Sequence, residues 1–271
     1  MHSKNNDTAE IMSDEQLFRY SRQILLPNIG IDGQRKLSSS HVCLVGVGGL
    51  GSPIAMYLAA AGVGKLTLID SEKLDLSNLQ RQILFTHEDI SFSKAAIAAL
   101  RLRALNPFVE VLPLTKKLSK DNSLHILAEA DLVIDATDNF DARFAINEAC
   151  VRLRKPLVSG AVICLEGMIG VYRLDKSEAP CYRCFYGSEA KPMAKTCSES
   201  GVLGSVVGII GSIGSGITGS TGPGITGSTG PGMTGSTGPG ITGSTGPGII
   251  GSSSLGSGGV TCNVPTLKVT S

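Results

Sequence analysis

The sequence predicts an α/β fold: a doubly wound, mostly parallel sheet followed by a low-complexity C-terminal tail. Three observations predict it. Short apolar runs alternate with segments of helical periodicity from Ser13 onward, the pattern of strand–helix units whose strands are covered on both faces. The first such run breaks into a glycine turn, LVGVGGLGS over 44–52, that leads straight into a helix. From Gly216 the composition changes to an octad, GITGSTGP, which recurs from Gly224, Gly232 and Gly240 with Met233 as the single substitution.

Taken in order, Ser13 to Leu26 reads as one helix, with Ser13 as N-cap and Gln16 completing a capping box. HVCLVGV is a buried strand, Ser52–Ala61 a helix, and KLTLID a second strand ending at Asp70. Residues 93–105 form a helix that stops at Asn106-Pro107. VEVLPL is the third strand and ADLVIDATD the fourth, almost continuously apolar as a doubly covered strand should be. FDARFAINEACVRLR returns as a helix, and PLVSGAVI and MIGVYRLD are later strands.

With 271 residues, 42% of them apolar, the chain is long enough to bury a sizeable core. Its formal charge of +1 argues against a surface that coats nucleic acid or acidic membranes. The opening MHSKNNDTAE has no apolar signal core, so a cytosolic protein is expected. Seven scattered cysteines then favour thiols, a metal ligand or a catalytic group over a disulfide framework. In the octads the glycines are spaced three, three and two apart, which breaks the every-third register that collagen needs. The expected organisation is a flexible N-terminus over 1–12, one nucleotide-binding domain over 13–215, and a disordered repeat tail over 216–271.

The glycine turn carries the first chemistry. A helix N-terminus offers free N–H groups and a dipole that favours an anion. Gly46 permits the tight turn, Gly48 lets backbone approach phosphate, and Gly51 lets the helix pack on a Rossmann-like sheet. Asp70, at the end of the next strand, is placed for ribose hydroxyls. That much suits a nicotinamide dehydrogenase. The following DLSNLQRQILF, with Asn78, Gln80, Arg81 and Gln82, and Lys94 opening the next helix, suggest more negative charge than a dinucleotide brings. Both cations also read as solvated surface charges. At the fourth strand's end, DATDN puts Asp135, Asp138 and Asn139 near the nucleotide, where a carboxylate would hold Mg²⁺ or a side chain would cap the next helix.

RYSRQILL, GVGGLGS, AGVGKLTLID, DLSNLQRQ, DATDN, PLVSGA, CYRC and TCSESGVLG follow one another here as in the ubiquitin-activating-like adenylyltransferases of the ThiF/MoeB/HesA type, which the chain resembles from Ser13 to Gly214. The resemblance implies ATP, Mg²⁺ and a small β-grasp sulfur-carrier protein ending in Gly-Gly. The carrier's carboxylate would attack the α-phosphorus, giving an acyl-adenylate and pyrophosphate, for molybdopterin or thiamine biosynthesis. It assigns ATP contacts to Gly49 and its neighbours, Asp70, Ser77, Asn78, Leu79, Gln80, Arg81, Lys94, Asp138 and Asn139, with Asp138 as the Mg²⁺ ligand. Arg22 would reach the phosphates of the neighbouring subunit in a homodimer.

The cysteines depart from that pattern. Cys181-x-x-Cys184 has zinc-ligand spacing, yet structural zinc wants four ligands and relatives supply a second such pair near the C-terminus. Here only Cys197 and Cys262 follow, which leaves a weak site, completion by another chain, or two free thiols. Cys197 matches the position where some relatives carry a cysteine that forms a thioester or acyl-persulfide, while others release the adenylate without one. Cys43, Cys150 and Cys164 are expected to be inert core residues. The apolar run from Val202 to Ile213 leads into the repeats and is expected to be partly uncovered. Two rival functions remain at this stage: a nicotinamide-dependent oxidoreductase, and a degenerate relative that binds nucleotide or carrier without turnover.

Overall fold

The computed structural model describes residues 12–187, 201–221 and 266–268. Five strands, β1 (His41–Val45), β2 (Lys65–Ile69), β3 (Glu110–Leu114), β4 (Leu132–Asp135) and β5 (Leu157–Ile163), lie parallel in the order β3-β2-β1-β4-β5. On the β5 side, β6 (Glu166–Tyr172) and then β7 (Thr266–Lys268) extend the sheet, each antiparallel to its neighbour. The chain order reverses at β1, between β2 and β4, and opens a crevice at the strand carboxyl ends.

Alternation along each strand divides the core between two faces. Val42, Leu44, Leu66 and Leu68 point to the face covered by α4 (Gly51–Ala61), α5 (Lys94–Leu105) and α9 (Gly204–Thr221). Cys43, Val45, Ile69 and Val133 point to the other face, covered by α6 (Lys120–Leu127), α7 (Phe140–Leu153) and α8 (Tyr182–Tyr186). Both sets are buried, which is why the strands read as unbroken apolar runs.

The expected first helix is two. Ser13 and Gln16 do form the capping box, but α1 (Asp14–Arg19) and α2 (Ser21–Ile24) part at Tyr20. The Tyr20 side chain is buried, and its hydroxyl accepts a hydrogen bond of 2.8 Å from Asn106 Nδ2. Tertiary packing of that ring overrides the local periodicity. A further helix, α3 (Gly30–Ser39), carries two glycines and few apolar residues. It is held from outside, by the buried Gln34, whose Nε2 donates to Ala61 O at 2.9 Å.

The run after Val202, expected to be partly uncovered, is divided between burial and exposure. It forms α9, and Val206, Val207 and Ile210 are buried against the sheet and α4, while Leu203 and Ile209 stay exposed. Each such burial contributes about 1.5–3 kcal/mol. A Cβ at Gly211 would lie 2.5 Å from Pro53 Cγ, so the glycine lets α9 seat against α4. The helix continues to Thr221, past the expected boundary at 215 and into the first octad, and β7 lies beyond the repeats.

Candidate nucleotide-binding cleft

A cleft of about 310 Å³ opens at the carboxyl ends of the parallel strands. Gly46, at the end of β1, has φ +89°, a left-handed value that side-chain-bearing residues rarely adopt. A Cβ at Gly51 would lie 2.0 Å from Gly46 O, so both glycines are required for the turn to close under α4. Gly46, Gly48 and Gly49 line the cleft, and Gly51 supports it from behind.

Asp70 faces the cleft from the end of β2, and its carboxylate also builds the turn. Val47 N–H donates to Oδ2 and Glu72 N–H to Oδ1, each at 2.8 Å. Burial pushes the Asp70 carboxyl above its ordinary value, against the pull of those two amides and Lys94.

The segment after β2 splits its residues between two roles. Asp75 caps a short 3₁₀ turn, accepting from Ser77 N–H at 2.8 Å and Ser77 Oγ at 2.6 Å, and those bonds hold its carboxyl below the ordinary value. Asn78 closes the same turn through Oδ1 and lines the cleft. Ser77, Leu79 and Gln80 are outside the lining: Leu79 packs on the core, and Gln80 O backs Gly204. Arg81 lines the cleft while Nη1 donates to Ser77 O at 3.0 Å. Lys94, 3% exposed at the start of α5, also lines it and pairs with Glu72 at 2.6 Å. Gln82 is buried in the wall, and its Oε1 meets no hydrogen-bond donor among the described residues.

At the end of β4 the three polar residues separate. Asp135 does not reach the cleft: it is buried beneath it, accepting from Thr137 Oγ1 at 2.6 Å and Ser159 Oγ at 2.7 Å. Asn139 caps α7, accepting from Ala142 N–H at 2.8 Å. Asp138 is exposed in the cleft and accepts no hydrogen bond from the described residues. Of the cleft's carboxylates, Asp70 holds two amides and Glu72 holds Lys94, which leaves Asp138 unengaged. A hard, unengaged oxygen ligand beside a phosphate turn fits Mg²⁺. No cluster of three His, Cys, Asp or Glu residues suited to a metal occurs among the described residues.

Residues that sequence reasoning left out also reach the cleft. Lys116 and Lys117 follow β3, where the same strand-end rule applies, and Arg143 enters from inside α7. Nothing in the sequence marks an arginine within a helix as a cleft residue. Val162, Val202 and Val207 form the wall toward β5 and α9. Arg22 is exposed on α2, outside the lining of this cleft.

Cys181 and Cys184 bring their sulfurs to 3.4 Å, with Asn147 Nδ2 at 3.6 Å from Cys181, and no third metal ligand joins them among the described residues. Cys197 lies outside the described residues. Cys43 and Cys150 are buried, and burial pushes the Cys43 thiol up to about 11 and Cys150 higher still. Cys164 corrects an expectation: it is exposed, in the two-residue turn between β5 and β6, with φ +52°.

A sheet that reverses order at β1, a glycine turn at the reversal and cations gathered around it together define a nucleotide-binding protein of the Rossmann-like class. The sequence matches the ThiF family over residues 20–216, and the chain belongs to that family. It is 43% identical over 203 residues to a sulfur carrier protein adenylyltransferase of Thermus thermophilus, covering 73% of this chain and 75% of that one. It is 46% identical over 200 residues to the maize adenylyltransferase and sulfurtransferase MOCS3-1, covering 73% of this chain and 42% of that one. The chain thus spans less than half the length of the MOCS3 relatives it matches. Its fold is shared with a crystal structure of E. coli MccB with MccA-N7isoASN, at a TM-score of 0.65 and 23% identity over 74% of this chain and 63% of that one. No helix among the described residues is long and apolar enough to cross a membrane.

Proposed function

We propose that this ThiF-family adenylyltransferase uses ATP to activate the C-terminal glycine of a small β-grasp sulfur-carrier protein. The observation that carries the reading is the sharing of one cleft by the glycine turn, Arg81, Lys94 and the unengaged Asp138. A carboxylate that attacks a polyphosphate suffers charge repulsion, so the reaction needs cations fixed in place before the charge develops. Lys94 is held by Glu72 and Arg81 by Ser77 O, so neither side chain must be ordered at the moment of attack. The names of the relatives support the same chemistry.

In this reading the phosphates lie over the glycine turn, the ribose hydroxyls meet Asp70, and the carrier's glycine enters along the wall of Val162, Val202 and Val207. Asp138 would hold Mg²⁺, which when bound neutralises phosphate oxygens and favours departure of pyrophosphate. The carrier carboxylate forms a bond to the α-phosphorus, the bond to the β-phosphate oxygen breaks, and acyl-adenylate and pyrophosphate result. A homodimer belongs to the reading: the segment that carries Arg22 also exposes Phe18, Leu25 and Leu26. Whether the carrier serves molybdopterin or thiamine synthesis is decided by which Gly-Gly protein is accepted. Incubation with ATP, magnesium and each carrier, followed by intact-mass analysis, should show an adenylated carrier that reverts on addition of pyrophosphate. Binding of NAD(H) in preference to ATP, with no adenylate on any carrier, would overturn the reading.

A further inference from the structure

We propose that Arg143 is the positioning residue for Asp138: it ties the turn after β4 to β5 and so aims the Asp138 carboxylate at a divalent cation carried by the nucleotide. The inference rests on the nucleotide reading above. Arg143 is 7% exposed, on the first turn of α7, and it lines the cleft beside Asp138 and Asn139. Its Nη2 donates to Thr137 O, immediately before Asp138, and to Gly160 O on β5 at 3.0 Å. One nitrogen therefore joins the loop that carries Asp138 to the neighbouring strand.

The carboxylate of Asp138 makes no hydrogen bond of its own among the described residues, so the backbone of its turn sets where it points. That backbone is fixed on three sides. Thr137 N–H and Oγ1 donate to the buried Asp135, at 3.0 and 2.6 Å. Asn139 anchors the far side by capping α7. Arg143 supplies the third tie and the one that crosses to another strand. The charge of the buried Asp135 and the side chain of Tyr182 on α8 offset the cost of burying the guanidinium. Burying an arginine at this position is costly, and an apolar residue would fill the space at lower cost. What an apolar residue could not supply is a charged donor reaching two carbonyls on separate elements.

The test compares calorimetric ATP affinity with excess magnesium and with EDTA, in the full chain and in D138N, R143M and R143K. Magnesium should tighten ATP binding by the wild type, and D138N should lose that gain. R143M should cut the gain by about tenfold, the lower end of what a hydrogen bond from a charged group is worth. Because Arg143 itself lines the cleft, R143M should also weaken ATP binding in EDTA, but by a smaller factor than with magnesium, since only the magnesium measurement reads the aim of Asp138. R143K, which keeps a charged donor, should recover part of the gain. Should R143M fail to fold, R143K decides: a reduced gain supports the proposal and a wild-type gain overturns it. A wild-type gain in a folded R143M, or equal losses with magnesium and with EDTA, overturns it too. A wild type that binds no ATP sinks the functional reading itself, and this proposal with it.

Discussion

Lys94 Nζ lies 2.6 Å from Glu72 Oε2, and the two ends of this pair occupy different surroundings, the lysine side chain 4% exposed and the glutamate 67%. A buried ammonium needs a counter-charge, and Glu72 supplies one from the water side of the cleft. A phosphate arriving at the glycine turn supplies another. Glu72→Gln should therefore destabilise the free protein by about 1 kcal/mol or more. It should also increase the rise in Tm that ATP produces, since the ligand then provides the missing charge. Thermal melts with and without ATP check both halves; an ATP shift equal to that of wild type contradicts the competition.

The glycine turn and α9 are joined through a second pair. A Cβ on Gly49 would lie 2.7 Å from Val207 Cγ1. Gly49→Ala should push α9 outward and cost about 1–3 kcal/mol, the usual range for overpacking. Adding Val207→Ala should recover part of that loss, so the double variant melts above the single one. Independent, additive losses would show that the two residues do not touch.

Asp70 sets a pH dependence with a definite sign. Burial raises its carboxyl above the ordinary 3.8, so between these two values the native state binds more protons than the unfolded state. Its contribution to stability is therefore most favourable below the ordinary value and is lost as pH rises through the native one. Asp70→Asn removes this dependence, although it weakens the bonds from Val47 and Glu72 at every pH. Urea unfolding between about pH 3 and pH 7 should show the wild-type curve falling relative to that of the variant. A relative rise would contradict the assignment.

The cysteines should divide by exposure. Thiol reagents at about pH 8 should modify Cys164 and Cys184 in the native protein and spare Cys43 and Cys150 until unfolding. Among the described residues two thiols stand without further ligands and close no tetrahedral site, so EDTA should leave Tm within about 1 °C. One zinc per chain in the purified protein contradicts this, and it calls for ligands from outside the described residues or from another chain.

The sheet was legible because its strands are buried on both faces and carry uninterrupted apolar runs, as in HVCLV and LVID. Helices held by tertiary bonds were not: α3 depends on Gln34 and Ala61, and the break at Tyr20 depends on Asn106, far along the chain. The site was legible where a backbone rule fixes position, as at Gly46, Asp70 and the strand end before Asp138. The sequence left open whether Asp138 or Asn139 caps α7. The hydrogen bond from Ala142 settles the cap on Asn139, a choice made by backbone geometry that side-chain chemistry alone does not reveal. Arg143 escaped notice because its partners are carbonyl oxygens, which leave no trace in residue identity.

The central claim is that Arg81 and Lys94 let one anion attack another at phosphorus. Carrier-dependent exchange of labelled pyrophosphate into ATP measures that step directly, in the wild type and in Arg81→Ala and Lys94→Ala. The account predicts exchange in the wild type and a loss of about 10²-fold or more in each variant. Exchange that persists at the wild-type rate without either cation, or none with any Gly-Gly carrier, contradicts it.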